Sequence, residues 1–226
     1  MSWHHLPLAL TLVIGPALAQ DNALPNPPLE DKRAFGVIPN NRTTEASLPF
    51  MPITAGYKMT IALKDSFAVP LGLTSGAFAG LYQLEDQNPS FGQGLAGYGR
   101  RFGAAYGDQV VSNMMTEGVM PSLLHEDPRY FRVGQGSKRS RLLAALLQIM
   151  VTHTDSGRRT FNFSEWGGNA VAAAVSNVWY PDTRSASENV EKVVIQCGAD
   201  SLSNVLKEFW PDVKRRFQRK HEASLR

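Results

Sequence analysis

Cysteine is nearly missing from these 226 residues: Cys197 stands alone. A single thiol excludes an intrachain disulfide and a paired-cysteine metal site, and no cysteine lies where a leader would be cleaved, so lipid anchoring there is excluded too. Cys197 reads as a small buried apolar residue. Net charge is also scarce, 23 Lys and Arg against 20 Asp and Glu giving +3, and much of the excess falls in "KRRFQRKH" at 214–221. Nucleic-acid binding is therefore not expected. Sustained period-two alternation is missing, which argues against a sheet-built domain. So are the spacings that announce chemistry. There is no His-Glu-x-x-His, no EF-hand loop, no Gly-x-Ser-x-Gly, no phosphate-binding Gly-x-x-x-x-Gly-Lys and no Ser-Gly-His stretch. No metal and no cofactor are expected.

What is present begins with "MSWHHLPLALTLVIGPALAQ", an apolar run from Leu6 to Ile14 followed by Ala17-Leu18-Ala19. That pattern suits signal-peptide cleavage, so residues 1–19 are expected to be a leader and the protein to be exported, to the periplasm or an outer-membrane-associated position. Residues 20–52 carry six prolines with little periodicity and read as an extended, disordered linker.

From 53 to 222 the pattern is helical, with segments expected at 55–67, 70–84, 97–124, 140–153, 164–179 and 187–217. With 43% hydrophobic residues the chain can build a core. The fold class is all-α, a Gly/Ala-rich bundle of about five to six helices. Pro70 suits a helix first turn, Pro121 is expected to kink or end the third segment, and Pro211 to break the last.

Two glycine series, Gly72, Gly76 and Gly80 and then Gly99, Gly103 and Gly107, repeat every four residues. On helices each would form a stripe without side chains, and the short connection between them makes antiparallel neighbours with facing stripes the expectation. Residues 66–84 lack charge, which raises the alternative of a membrane-inserted hairpin, but Arg100, Arg101, Asp108 and Glu117 interrupt the partner segment.

The densest polar motif is "HEDPRYFR" at 125–132. A hydrolase would use His125 as general base, Asp127 to orient it and Arg129 to hold an anionic group; the same residues serve equally as a structural corner, with Tyr130 packing. Up-and-down helices would bring "YPDTR", with Tyr180 and Asp182, to this end, and "HTDSGRR", with His153 and Asp155, to the other. Inside the bundle, Glu117 and Asn113 are expected to meet a seam of Asn169, Ser176 and Asn177, with Asp200 and Asn204 nearby, as a polar network or a ligand-binding interior. The final segment puts Phe209, Trp210, Val213 and Phe217 among basic residues and suits either an anionic bilayer surface or a packed last helix.

Together "GYGRRFGAAYGDQVVSNMM", "PSLLHEDPRYFR", "THTDSGRRTFNFSE" and "GNAVAAAVSNVWYP" resemble a family of uncharacterised exported helical proteins of acidobacteria and related soil bacteria. The resemblance implies no activity, cofactor or catalytic residue. The reading that results is a cell-envelope structural or interaction module, with a membrane surface, a lipid or another envelope protein as partner. An envelope hydrolase and a carrier of a small hydrophobic ligand are the alternatives.

Overall fold

The computed structural model describes residues 42 to 224, and side chains as far as Phe217. The expected leader and most of the linker lie outside the described residues. Seven α-helices, α1 (Ala55–Ser66), α2 (Val69–Leu84), α3 (Gly94–Asn113), α4 (Met120–Leu124), α5 (Lys138–Leu147), α6 (Phe163–Ser176) and α7 (Ala186–Ser224), dominate the chain. A π-helical turn at Met114–Val119 joins α3 to α4, so the helices form six rods and the molecule is mainly helical.

Local chemistry explains most of the boundaries. Thr54 caps α1 by accepting from the Tyr57 amide at 3.2 Å, and Ser137 caps α5 through the Ser140 amide at 3.2 Å. Pro70 lies in the first turn of α2 as its fixed φ requires. Asn162 caps α6, accepting from the Glu165 amide at 3.1 Å. Pro121 neither ends nor sharply breaks its segment. The π turn ahead of it already departs from i→i−4 bonding, so the missing proline amide costs little there. Pro211 lies inside α7, which runs unbroken past it and past Gly198 for about 58 Å.

Two small sheets depart from the helical expectation. The segment read as one helix over 140–153 stops at Leu147 and turns back as a strand. The strands are β1 (Thr43–Glu45), β2 (Glu126–Asp127), β3 (Tyr130–Arg132), β4 (Val151–Thr154) and β5 (Arg159–Phe161). β1 pairs parallel to β3, and β2, β4 and β5 form an antiparallel sheet in which His153 faces both Asp127 and Arg159. The β4–β5 turn requires positive φ at Gly157, 82°. Because β1 belongs to a sheet and Ile53 is buried, residues 42–52 are part of the domain rather than of the linker.

α2 and α3 are neighbours, tied by a hydrogen bond from the Tyr98 hydroxyl to the Gly76 carbonyl at 3.1 Å. The facing glycine stripes are not found. A Cβ added at Gly72, Gly80, Gly99 or Gly103 would meet nothing within 4 Å. Gly76 faces Tyr98 and Phe102 side chains, and Gly107 faces Trp179. Bare backbone is used instead at Gly168, where a Cβ would lie 3.0 Å from Thr116 Cα, and at Gly118, packed on Met59 and Ala62 of α1. The reason is helix rotation: Tyr98 and Phe102, not Gly99 and Gly103, turn toward α2.

The interior is unusual in what fills it. Half of the buried apolar residues are alanines, beside larger side chains such as Ile61 and Tyr130, whereas Arg101, Lys58, Glu208, Asp127 and Asn169 are among the largest fully buried side chains. Each buried charge is tied. Arg101 donates to the carbonyls of Gln87, Asn88 and Gly92 and to Gln83 Oε1, closing the α2–α3 connection. Glu208 accepts from the Tyr130 hydroxyl, the Val133 and Gly134 amides and Arg141 Nε, locking α7 to β3 and α5.

Candidate functional site

The strongest concentration of buried ionisable groups lies where β1, α1, the π turn, α6 and α7 converge. Arg42, just ahead of β1, sends Nη1 to Glu117 Oε1 at 2.5 Å, Nε to the Pro128 carbonyl at 2.8 Å and Nη2 toward Glu165 Oε2 at 3.6 Å. Glu165 Oε1 accepts from Asn169 Nδ2 at 3.0 Å, one helical turn later, and Asn169 Oδ1 accepts from the Ser112 hydroxyl at 2.6 Å. Asn169 Nδ2 also lies 3.7 Å from Cys197 Sγ. The π turn, α3, α6 and α7 are thereby joined through one arginine and one asparagine.

Burial raises the acid pKa values here. Glu117 is pushed up to about 7 by desolvation, against the pull of Arg42. Glu165 is held well above the ordinary carboxylate range by burial and then by the neighbouring charge of Asp200, against the pull of Arg42. Lys207 is lowered by desolvation and by Arg42. Burial likewise raises the Cys197 thiol to about 12, which makes it unreactive as a nucleophile.

Next to this network is a cavity of about 220 Å³, its wall formed in part by Glu117, Asn113, Asp65, Asp200, Lys207 and Phe78. A second cavity, about 100 Å³, shares Phe78, Gln109, Gln196 and Ala199 with the first and continues to Asp108 and Lys192. Its walls include Ala105, Ala172, Ala173 and Ala199, so alanines do line the space between these helices.

The residues singled out from the sequence divide into three places. Glu117, Asn113 and Asn169 belong to this interior, with Asp200 and Asn204, and Asn204 is buried. Asp127, Arg129 and Tyr130 flank it across a gap of about 10 Å³ that Arg42 and Glu165 also line. Tyr180, Asp182 and Asn177 are elsewhere. The Tyr180 hydroxyl donates to Asp108 Oδ2 at 2.8 Å, Asp182 accepts from the Ser90 amide at 3.0 Å, and Asn177 accepts from Lys192 Nζ at 3.2 Å. Asp108 and His125 are 17 residues apart on nearly continuous helix, about 25 Å. The "YPDTR" and "HEDPRYFR" motifs therefore do not meet, and it is "HTDSGRR" that joins the latter, through β2 and β4. The cause is the short α5, which returns the chain to the end it left.

The expected His125, Asp127 and Arg129 constellation is not assembled. Asp127 is sealed by Arg129, whose Nε and Nη2 reach it at 2.9 and 2.6 Å, and both side chains are buried. His125 is instead exposed, with φ of 56°, and its Nδ1 lies 3.7 Å from Asp155 Oδ2. Asp155 is held by Lys58 Nζ at 2.7 and 2.9 Å. His153 packs against Phe131 with the rings tilted by 52° and their centroids 4.2 Å apart, and burial lowers its pKa. These residues build a corner, as the second reading of the motif expects.

Sequence reasoning missed Arg42 and Glu165. Arg42 falls among prolines with no periodic pattern around it, and Glu165 lies in the first turn of α6, where an acid suits the helix dipole without any inward role; only its position one turn before Asn169 points inward. Among the described residues no group of three or more His, Cys, Asp or Glu is arranged to hold a metal. In comparison with known families, curated proteins and solved structures, the chain matches no family model, no curated protein and no solved structure.

Proposed function

We propose that this chain is an exported cell-envelope module that lies on an anionic membrane surface. The observation that carries the reading is the apolar outer face of α5 and the strand pair after it. Leu142, Leu143, Leu146, Leu147, Met150, Phe161 and Phe163 are all exposed, while the interior holds arginines and carboxylates. An apolar surface of this kind calls for a cover. Beside it lies a groove of about 720 Å³ lined by Leu143, Leu147, Val151, Phe131 and Arg159, mostly apolar and edged by a cation.

The surrounding charge favours lipid headgroups. Lys138 and Arg139 are exposed at the start of α5, and Arg158 and Arg159 at the strand turn. Arg141 Nη1 binds Asp212 at 2.6 Å, which brings the exposed Lys214, Arg215, Arg216 and Phe217 of α7 close to the same end of α5. Leucine and phenylalanine among basic residues are what an interfacial helix presents. No helix among the described residues is long and apolar enough to cross a membrane, which fits contact from one side.

Flotation of the purified chain with vesicles tests this. Binding to vesicles containing phosphatidylglycerol, weakened by salt and absent with phosphatidylcholine alone, is the expected result. Leu143→Asp should abolish it and Arg139→Glu should reduce it. Equal recovery with both lipids, or none with either, would overturn the reading and leave an envelope protein as the cover for this face.

A further inference from the structure

Glu117 has an oxygen with nothing to bind. Its Oε1 is taken by Arg42, but Oε2 is buried and has no hydrogen-bond partner. The side chain is 3% exposed and stands in the wall of the 220 Å³ cavity. Lys207, in the same wall, makes no hydrogen bond to that oxygen. An unsatisfied buried carboxylate oxygen is costly, and native proteins rarely keep one without a purpose. The segment bearing Glu117 is also a π turn, a helical defect that recurs at binding sites because it re-aims the side chains it carries.

The chemistry of the wall selects the ligand. A donor is required, since Oε2 can only accept while ionised. Asp65, Glu117 and Asp200 line the cavity, and Arg42 has its guanidinium committed to Glu117, Glu165 and the Pro128 carbonyl. The unmet acceptor is a carboxylate oxygen out of reach of water-exposed surface, which favours a cationic donor over an anion. The other wall is apolar, with Ala68, Pro70, Leu71, Phe78 and Ala199. A bare metal ion would leave that half unused.

The geometry points to a binding site for a small organic ammonium, with its N–H groups on Glu117 Oε2 and its hydrocarbon portion against Leu71 and Phe78. Such a ligand pairs the unmet acceptor and covers the apolar wall in one step. The groups facing Glu117 are Arg42 ahead of β1, Asp65 on α1, Glu165 on α6, and Asp200 and Lys207 on α7. As Glu117 ionises, the site gains a negative charge and holds an ammonium more tightly. This inference is independent of the membrane reading.

The test is calorimetric titration of the purified full chain with n-butylammonium chloride, with n-butanol and sodium chloride as controls. Saturable binding with Kd on the order of 1 mM is expected, at least tenfold tighter at pH 8 than at pH 5, with no saturable binding of butanol. Glu117→Gln should weaken it at least tenfold. Because that variant alters the buried pair as well, Ala199→Leu, which narrows the cavity and leaves every charge in place, should weaken it comparably while circular dichroism stays unchanged. Absence of saturable binding to the unmodified chain, or equal affinity in a folded Glu117→Gln or Ala199→Leu variant, would overturn the proposal.

Discussion

Arg42 and Glu117, 75 residues apart in the chain, meet in a buried ion pair with Nη1 to Oε1 at 2.5 Å. The contact draws β1 into the helical domain and holds the π turn against it. Removing the arginine leaves Glu117, Glu165 and the Pro128 carbonyl without their common donor. Arg42→Ala should therefore cost about 3–5 kcal/mol, the range for breaking one side of a buried pair. Urea unfolding followed by circular dichroism reads this directly, and a loss under about 1 kcal/mol would mean that the pair is solvated.

Stability should fall as pH rises through the range where Glu117 titrates. Its folded pKa is about 7 and its ordinary value 4.5, so between these the folded state keeps a proton that the unfolded chain has released. The folded state binds more protons there, and each pH unit upward weakens it, on the order of 3 kcal/mol by pH 7 from this group. Asp108, raised by burial to about 6, acts in the same direction. Glu117→Gln should flatten the curve, gaining on the unmodified protein between pH 5 and pH 8 in parallel urea titrations. Two curves that stay parallel would show that Glu117 does not titrate in this window.

Glycine substitutions should separate sharply by position. At Gly168 a new Cβ would lie 2.9 Å from Thr116 Cγ2 and 3.0 Å from its Cα and N, so Gly168→Ala should destabilise by about 1–3 kcal/mol through overpacking. Gly99 and Gly103 face open space within α3, and alanine there should add about 0.5–1 kcal/mol each by helix propensity. Thermal denaturation of the three variants gives the comparison, and destabilisation by Gly99→Ala would restore the facing-stripe arrangement.

His125 ends α4 in the left-handed region, φ 56° and ψ 41°, where a side chain is strained. His125→Gly should stabilise by about 1 kcal/mol. A destabilised variant would mean that the contact with Asp155 outweighs the backbone strain.

How much of this was legible in advance differs from residue to residue. The bounds of α1, α2 and α6 follow from local periodicity and caps, which neighbouring residues carry within one or two turns. Glu117, Asn169 and Asp200 could be picked out as an interior network because each is a polar residue on an otherwise apolar helical face. Arg42 could not, since nothing adjacent to it in sequence encodes a partner 75 residues away. The hydrolase constellation failed for a related reason: His125 and Asp127 are two residues apart, but a left-handed turn and a strand send their side chains in opposite directions, one to solvent and one to Arg129.

The amino-acid sequence by itself determined a mainly helical domain, because helix formation and capping depend on contacts three and four residues apart. The tertiary structure alone decided which charges meet, which glycines touch a neighbour and where the cavity opens. Those depend on how each helix is rotated about its axis, and rotation is settled by packing among all the helices at once.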